Sequence, residues 1–468
     1  MNRVKSLIKY HLLVPTFLLM AIVFSTTDYA NAQANWKPLF NGKDLKGWDK
    51  IQGTADYQVE GDEIIGISKL GTPSTYLRSK ETYSDFILEV EVKVEVGLNS
   101  GIQFRSMSKK DYKNGDVHGY QAEIDPAERA WAGGIFDQSR RGWIYPVTMN
   151  EPGRKAFRNG QYNAYRIEAI GNTIRTWVNG VQVTNLVDDM TAEGFIALQV
   201  HKIGKEAQVG LTVRWKGLRI MTDNLEQNRW PVQPAAKEFS HLKNELTESE
   251  KRKGWRLLWD GKSSNGWRRA NGEGFPEAGW SVKDGELSVL ESGGAESRNG
   301  GDIVTVDEFS NFELELDFNI TKGANSGIKY FVEENRNKGA GSAIGCEFQV
   351  LDNKVHPDAK KGVSGNRTVG SLYDLITATS YSEPTKTRPV NPGTWNKARI
   401  VVKGSHVEHY LNNIKVVEYD RHSQMFKALV AYSKYAKYPG FGQAAEGRIL
   451  LQDHGNTVSY RSIKIREF

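Results

Sequence analysis

Carboxylate, carboxamide, imidazole and ammonium side chains recur in this chain two residues apart. Asn325, Gly327 and Lys329 alternate along NSGIKYF, Glu347 and Gln349 along GCEFQVLD, and Gln452 and His454 along LQDHG. An earlier series has the same form: Asn99, Gly101, Gln103 and Arg105 in NSGIQFR, Gln121, Glu123 and Asp125 in GYQAEID, and Gln199 and His201 in LQVH. On a strand, residues i and i+2 share a face, so each set presents its polar groups together, between apolar neighbours such as Cys346 and Phe348. Carboxamides grip hydroxyl groups, and Glu, His and Lys move protons or stabilise developing negative charge. Gly101 and Gly327, lacking a side chain, would let a ligand approach the backbone. The plainer reading is the wet side of an antiparallel sheet, and alternation alone leaves both readings open.

Both series lie inside a longer repeat. WKPLFNGKDLKGW from Trp36 is answered by WRLLWDGKSSNGW from Trp255, and YNAYRIEAIGNTIRTWVNG by WNKARIVVKGSHVEHYLNN. GFIALQVH from Gly194 is answered by GRILLQDH from Gly447, and the offsets drift from 219 to 253 as loop insertions require. A period this long means two copies of one domain rather than a solenoid. Strict alternation in FELELDFNI and FILEVEVKVEV, with turn residues between short β-rich runs, predicts an all-β chain of two tandem sandwiches or jelly rolls. The boundaries read as 33–221 and 250–468, with a linker at 222–249. In LTESEKRKGW, Thr247 and Glu250 have capping-box spacing and predict a short helix ended by Gly254.

Charge and composition narrow the partners. Of 468 residues, 39% are hydrophobic, and the formal net charge is only +6 with no long basic run. Nucleic acid is therefore not expected. Residues 1–32 read as a signal peptide: Arg3, Lys5 and Lys9 precede an apolar stretch from Leu12 to Phe24, and Ala30-Asn31-Ala32 offers a cleavage site. Export to the periplasm or outside follows, with no membrane span after cleavage. Cys346 is the sole cysteine, so the cores must hold without disulfides, and it reads as a small buried core residue.

The blocks LWDGKSSNGW, FSNFELELDFNITKGANSGI, GCEFQVLD, VGSLYDLI, NPGTWNKARIVVKGSHVEHYLNN and GRILLQDHGNTVSYRSIKIREF resemble the 3-keto-disaccharide hydrolase domain family. Residues 36–221 resemble it more loosely, with LQVHK in place of LQDHG. The resemblance implies a concanavalin A-like jelly roll and action on 3-keto-glycosides or 3-keto-disaccharides. A ketone at C3 acidifies the C2 hydrogen, so a base could remove it, an enediolate could form, and the C1 substituent could leave by elimination before water adds. Glu347 or His454 would be the base, and Lys329 or a bound cation would stabilise the enediolate. Gln349 and Gln452, with Asn325 beside them, would hold hydroxyls, and Tyr373 or Asp352 would serve the leaving group. In the first copy Gln121, Glu123, Asp125, Arg105, Gln199 and His201 would bind substrate.

Each assignment has a plain counterpart: a turn for Asp352, core packing for Tyr373, a solvated charge for Lys329. No HExxH is present, and one cysteine makes no thiolate site. A divalent cation near His356 and His454 stays open, as does any cofactor. Without GxSxG or GxGxxG, the oxidation that makes the ketone is assigned to a separate sugar 3-oxidoreductase. The alternative function is a lectin-like module, or one catalytic and one binding copy, with Trp131, Trp143 and Tyr438 as stacking platforms.

Overall fold

Along Phe312–Ile320 the apolar side chains Phe312, Leu314, Leu316 and Phe318 enter a core, while Glu313, Glu315 and Asp317 take the opposite face, as a period of two dictates. The computed structural model describes residues 35–337, 342–379 and 390–468, and nearly all their regular elements are strands. The leader expected at 1–32 lies outside them. Among the described residues, no helix is long and apolar enough to cross a membrane.

Each repeat folds as a jelly-roll sandwich with its own core. The first pairs a nine-stranded with a seven-stranded sheet, the second an eight-stranded with a five-stranded sheet. Two of these sheets correspond strand for strand. Thr75–Tyr83, Gly194–Val200, Ser100–Ser108 and Val117–Ile124 lie side by side in the first repeat. Ile303–Thr305, Arg448–Leu451, Asn325–Glu333 and Ile344–Leu351 do so in the second.

The repeats differ outside that shared set. A hairpin, Ile135–Gln138 with Gly142–Tyr145, extends the first sheet at its edge. In the second repeat residues 421–447 intervene between Ile414–Asp420 and Arg448–Leu451 and carry the helix Gln424–Ala431; the first passes from Val187 to Gly194 with no helix between.

The acidic face of Phe312–Ile320 is not wet. Asp317 meets Lys397 Nζ at 2.9 Å and Arg461 Nε at 3.4 Å, Glu315 meets Lys464 Nζ at 3.3 Å, and Glu313 is held by Arg399 and Arg466. Burial pushes the Glu315 carboxyl up, yet Lys464, Lys397 and Arg399 bring it down to about 2. These pairs border the first repeat, where Arg399 Nη1 reaches Met149 Sδ at 3.3 Å. At the next hairpin tip, Asn413 Nδ2 donates to the Ile144 carbonyl at 3.3 Å, and its own carbonyl accepts from Thr148 Oγ1 at 3.0 Å. Ile414 then packs into the first core.

The linker helix is Glu248–Arg252, and its capping box is present: Thr247 Oγ1 accepts from Glu250 N at 3.0 Å, and Glu250 Oε2 from Thr247 N at 2.9 Å. Cys346 is a free thiol inside the second core, as its apolar neighbours require.

Candidate active site

Antiparallel pairing sets Lys329 opposite Glu347 and Gly327 opposite Gln349. On the other side, Ile328 pairs with Leu451, so the chain delivers Gln452 and His454 just past the end of the Arg448–Leu451 strand. Lys329, Glu347, Gln349, Gln452, His454 and Asn325 line a cavity of about 310 Å³. Tyr373, from the loop after Ile344–Leu351, closes one side, and Lys434, Tyr435 and Tyr438, from the 421–447 segment, close another. The sequence sets of the second repeat are therefore brought together, apart from Asp352.

Glu347 is 4% and Lys329 5% exposed, so neither is a solvated charge. Lys329 Nζ stands 4.0 Å from Glu347 Oε2, donates to the Ala343 carbonyl at 3.0 Å and donates to Ser342 Oγ. Burial pushes the Glu347 carboxyl above its usual range, against the downward pull of Lys329 and Lys434. A carboxylate whose proton affinity is raised in this way is a better base toward a carbon acid. Gln452 Nε2 donates to Glu296 Oε1 at 3.0 Å, and Gln349 Nε2 to Asn325 Oδ1 at 3.4 Å. His454 Nδ1 is buried with no hydrogen-bond partner among the described residues.

The Tyr373 hydroxyl donates to Asp358 Oδ2 at 2.7 Å, and burial with that carboxylate holds its proton tightly. Lys434 Nζ lies 4.1 Å from the centre of the Tyr373 ring.

Several expectations need correction. Asp352 turns away from the cavity: it accepts from Gly323 N at 2.8 Å and Lys354 N at 3.0 Å, so it ties a turn. Arg105 leaves the face it was assigned to. A bulge between Phe104 and Met107 puts Arg105 at φ 44°, which breaks the alternation. Its guanidinium then binds the Ser84 carbonyl, the Gly171 carbonyl and Asp85. Trp131 is buried in the first core and offers no platform. The glycines serve side chains rather than a ligand: a Cβ on Gly327 would stand 2.3 Å from Glu347 Oε1, and one on Gly101 2.3 Å from Gln121 Cδ.

In the first repeat the equivalent groups satisfy one another. Gln103 Nε2 donates to Gln121 Oε1 at 2.6 Å, Gln121 Nε2 to Glu123 Oε2 at 2.9 Å, and Asn99 Nδ2 to Glu123 Oε1 at 2.7 Å. Arg129 pairs with Asp125 at 2.5 Å and approaches Glu123 at 3.4 Å. Burial raises the Glu123 carboxyl to about 7. Gln199 Nε2 donates to the Tyr76 hydroxyl at 3.0 Å, and His201 Nδ1 bonds the Lys202 carbonyl at 2.6 Å.

A cation site near His454 gains little from this geometry. The His356 and His454 rings are 6.0 Å apart and nearly perpendicular, and His356 Nδ1 already accepts from Asp358 N. Among the described residues, the cluster with ligand atoms close enough for an ion is His406, Glu408 and Glu418, where Lys415 Nζ sits 3.0 Å and 2.6 Å from the two carboxylates. Sequence reading missed Glu296, Ser342, Lys434 and Tyr435. Lys434 and Tyr435 had a signal: the offset between repeats grows from 226 at Asn325 to 253 at Gly447, which marks an insertion beside the site.

Residues 35–221 and 254–466 each match the model of the 3-keto-alpha-glucoside-1,2-lyase-like domain. Over 233 residues the chain is 37% identical to a 3-keto-disaccharide hydrolase of Bacteroides thetaiotaomicron, covering 46% of this chain and 78% of that protein. Two solved structures from Parabacteroides distasonis, each called a "putative glycosyl hydrolase", are also similar. One is 30% identical with a TM-score of 0.42, covering 48% of this chain and all of the other. The second is 25% identical with a TM-score of 0.35, covering 46% and 99%.

Proposed function

The chain belongs to the 3-keto-alpha-glucoside-1,2-lyase-like domain family, twice over, and from that premise we propose that its second sandwich cleaves glycosides bearing a ketone at C3. At the level of the family it is a glycoside-cleaving hydrolase. The ketone, the route and the residue roles are our reading.

Glu347 takes the C2 proton. The electron pair of that C–H bond moves onto the C3 oxygen, where the Lys329 ammonium stabilises the enediolate. The enediolate then collapses, the C1–O bond breaks, and the departing oxygen receives a proton from His454, whose Nδ1 has no competing partner. Tyr373 is a weaker candidate for that proton, because its hydroxyl is committed to Asp358. Water adding across C1 and C2 completes a net hydrolysis. Asn325, Gln349 and Gln452 hold the ring hydroxyls.

The observation that carries this reading is the buried pair itself: a carboxylate with raised proton affinity and an ammonium 4.0 Å apart on one cavity wall. The first sandwich has neither the ammonium nor a carboxylate at the matching positions, where Gln103 and Gln121 stand. There we assign binding or scaffolding rather than the same chemistry. Export of the protein, and a separate oxidoreductase that introduces the ketone, belong to the same proposal. The test is aglycone release from a 3-keto-glucoside with the unoxidised glucoside as control. Release from the keto substrate alone is expected; equal release from both, or from neither, overturns it.

A further inference from the structure

Behind the cavity wall lies a buried carboxylate with no place in the scheme above. Asp302 is 3% exposed and Ser342 6%. Ser342 Oγ donates to Asp302 Oδ2 and accepts from Lys329 Nζ. Since the one hydroxyl hydrogen of Ser342 is committed to Asp302, Ser342 can only accept from Lys329, which requires the lysine to supply the proton. The second oxygen of Asp302 is fixed as well: Asp453 N donates to Oδ1 at 3.0 Å and Ser297 Oγ at 3.2 Å. The carboxylate is thus held at both ends, and the line Asp302–Ser342–Lys329 has a single direction.

A buried ammonium without a counter-charge sheds its proton. Glu347 is an unsuitable sole counter-charge, because a base loses its own charge on taking the C2 proton. Asp302 does not line the cavity and so gives up no charge to the reacting atoms; burial pushes its carboxyl up, and Lys329, the Ser342 hydroxyl and the Asp453 amide oppose that push. The first repeat has changed both ends together. Ile303 pairs with Leu451 as Leu77 pairs with Leu198, so Tyr76 occupies the position of Asp302, and Gln103 occupies that of Lys329. A charged pair in one repeat is a neutral pair in the other.

We propose that Asp302, acting through Ser342, is a positioning residue that keeps Lys329 protonated and directs it toward the C3 oxygen. The inference rests on the reading of Lys329 given above. The other charged or titratable groups that share the cavity with that lysine are Glu296, Glu347, Tyr373, Lys434, Tyr435, Lys437, Tyr438 and His454; all of them stay in place in the variants that test it.

The experiment uses the full chain with Asp302→Asn, Ser342→Ala and Ser342→Thr. Competitive acetylation with acetic anhydride across pH, read at Lys329 by peptide mass spectrometry, reports the titration of that amine without any substrate. The titration should move to lower pH in Asp302→Asn and, less far, in Ser342→Ala, and stay as in the parent in Ser342→Thr. In turnover of a 3-keto-glucoside, Asp302→Asn should lower kcat about 10²-fold, leave KM nearly unchanged, and shift the alkaline limb of the pH profile downward. A Lys329 titration unchanged in both Asp302→Asn and Ser342→Ala overturns the inference. Should Asp302→Asn lose its cooperative thermal transition, the Ser342 pair decides alone: equal Lys329 titration in Ala and Thr variants sinks the idea. A parent protein that releases no aglycone sinks the catalytic reading instead, while the acetylation result still judges Asp302.

Discussion

The two sandwiches share a sheet order and a polar strand face, yet one face encloses a cavity and the other closes on itself. In the first repeat, Gln103, Gln121, Glu123 and Asn99 form a continuous set of hydrogen bonds. In the second, Lys329 replaces Gln103 and Glu347 replaces Gln121, and the carboxylate stands 4.0 Å from the ammonium where both line the cavity. Polar identity alone therefore does not make a site. Groups that satisfy one another leave nothing for a substrate, whereas a buried, separated charge pair remains able to act.

The sharpest way to break this comparison is a matched pair of substitutions. Glu347→Gln should lower kcat on a 3-keto-glucoside by ~10²–10⁴-fold, and Glu123→Gln should leave it within about twofold, both read as aglycone release. The reverse pattern would put the chemistry in the first sandwich.

Gly327→Ala against Gly101→Ala tests position rather than identity. The added Cβ must displace Glu347 in one case and Gln121 in the other. A loss of about 10²-fold in kcat is expected for Gly327→Ala, since an ångström of misplacement costs that much, with little change for Gly101→Ala. Equal activity in both variants would mean that the position of Glu347 is unimportant.

Acid should weaken both halves. His241, beside the first sandwich, and His409, within the second, are each held down to about 4 by burial. The unfolded chain binds these protons near pH 6.5, so stability is full above that pH and falls as pH drops from 6.5 towards 4. At pH 5 each costs about 2 kcal/mol, on the scale of 1.4 kcal/mol per pH unit. Thermal unfolding between pH 7 and 4.5 checks this, and a flat Tm contradicts it.

The smallest effect concerns the junction. Asn413→Ala removes the bond to the Ile144 carbonyl and burdens a residue at φ 63°. A loss of about 1 kcal/mol is expected by denaturant titration, with kcat unchanged. A change in kcat without a change in stability would mean that the junction communicates with the cavity.

Much of this was legible in the chain. Alternation told which residues of FELELDFNI and GCEFQVLD point together, because the side-chain period of a strand is two and owes nothing to its neighbours. The duplication paired the strands that carry the polar sets between the two repeats, and Thr247 with Glu250 marked a capped helix through local spacing alone. Alternation failed at Arg105, where a bulge reverses the face, and at Asp352, where the strand has already become a turn. Both depend on what the next strand or loop does, which a single strand does not encode.

What only the tertiary structure decided is what stands across from each polar set. Residues 421–447 bring Lys434 and Tyr435 to the cavity that Glu347 lines, while Ser342 and, through it, Asp302 meet Lys329 from outside its strand. Period two says which way a side chain points; whether it meets water, a partner or a cavity is set by long-range packing. The same Gly-x-(Gln/Lys) and Glu/Gln pattern could therefore produce a satisfied network in one repeat and a poised charge pair in the other.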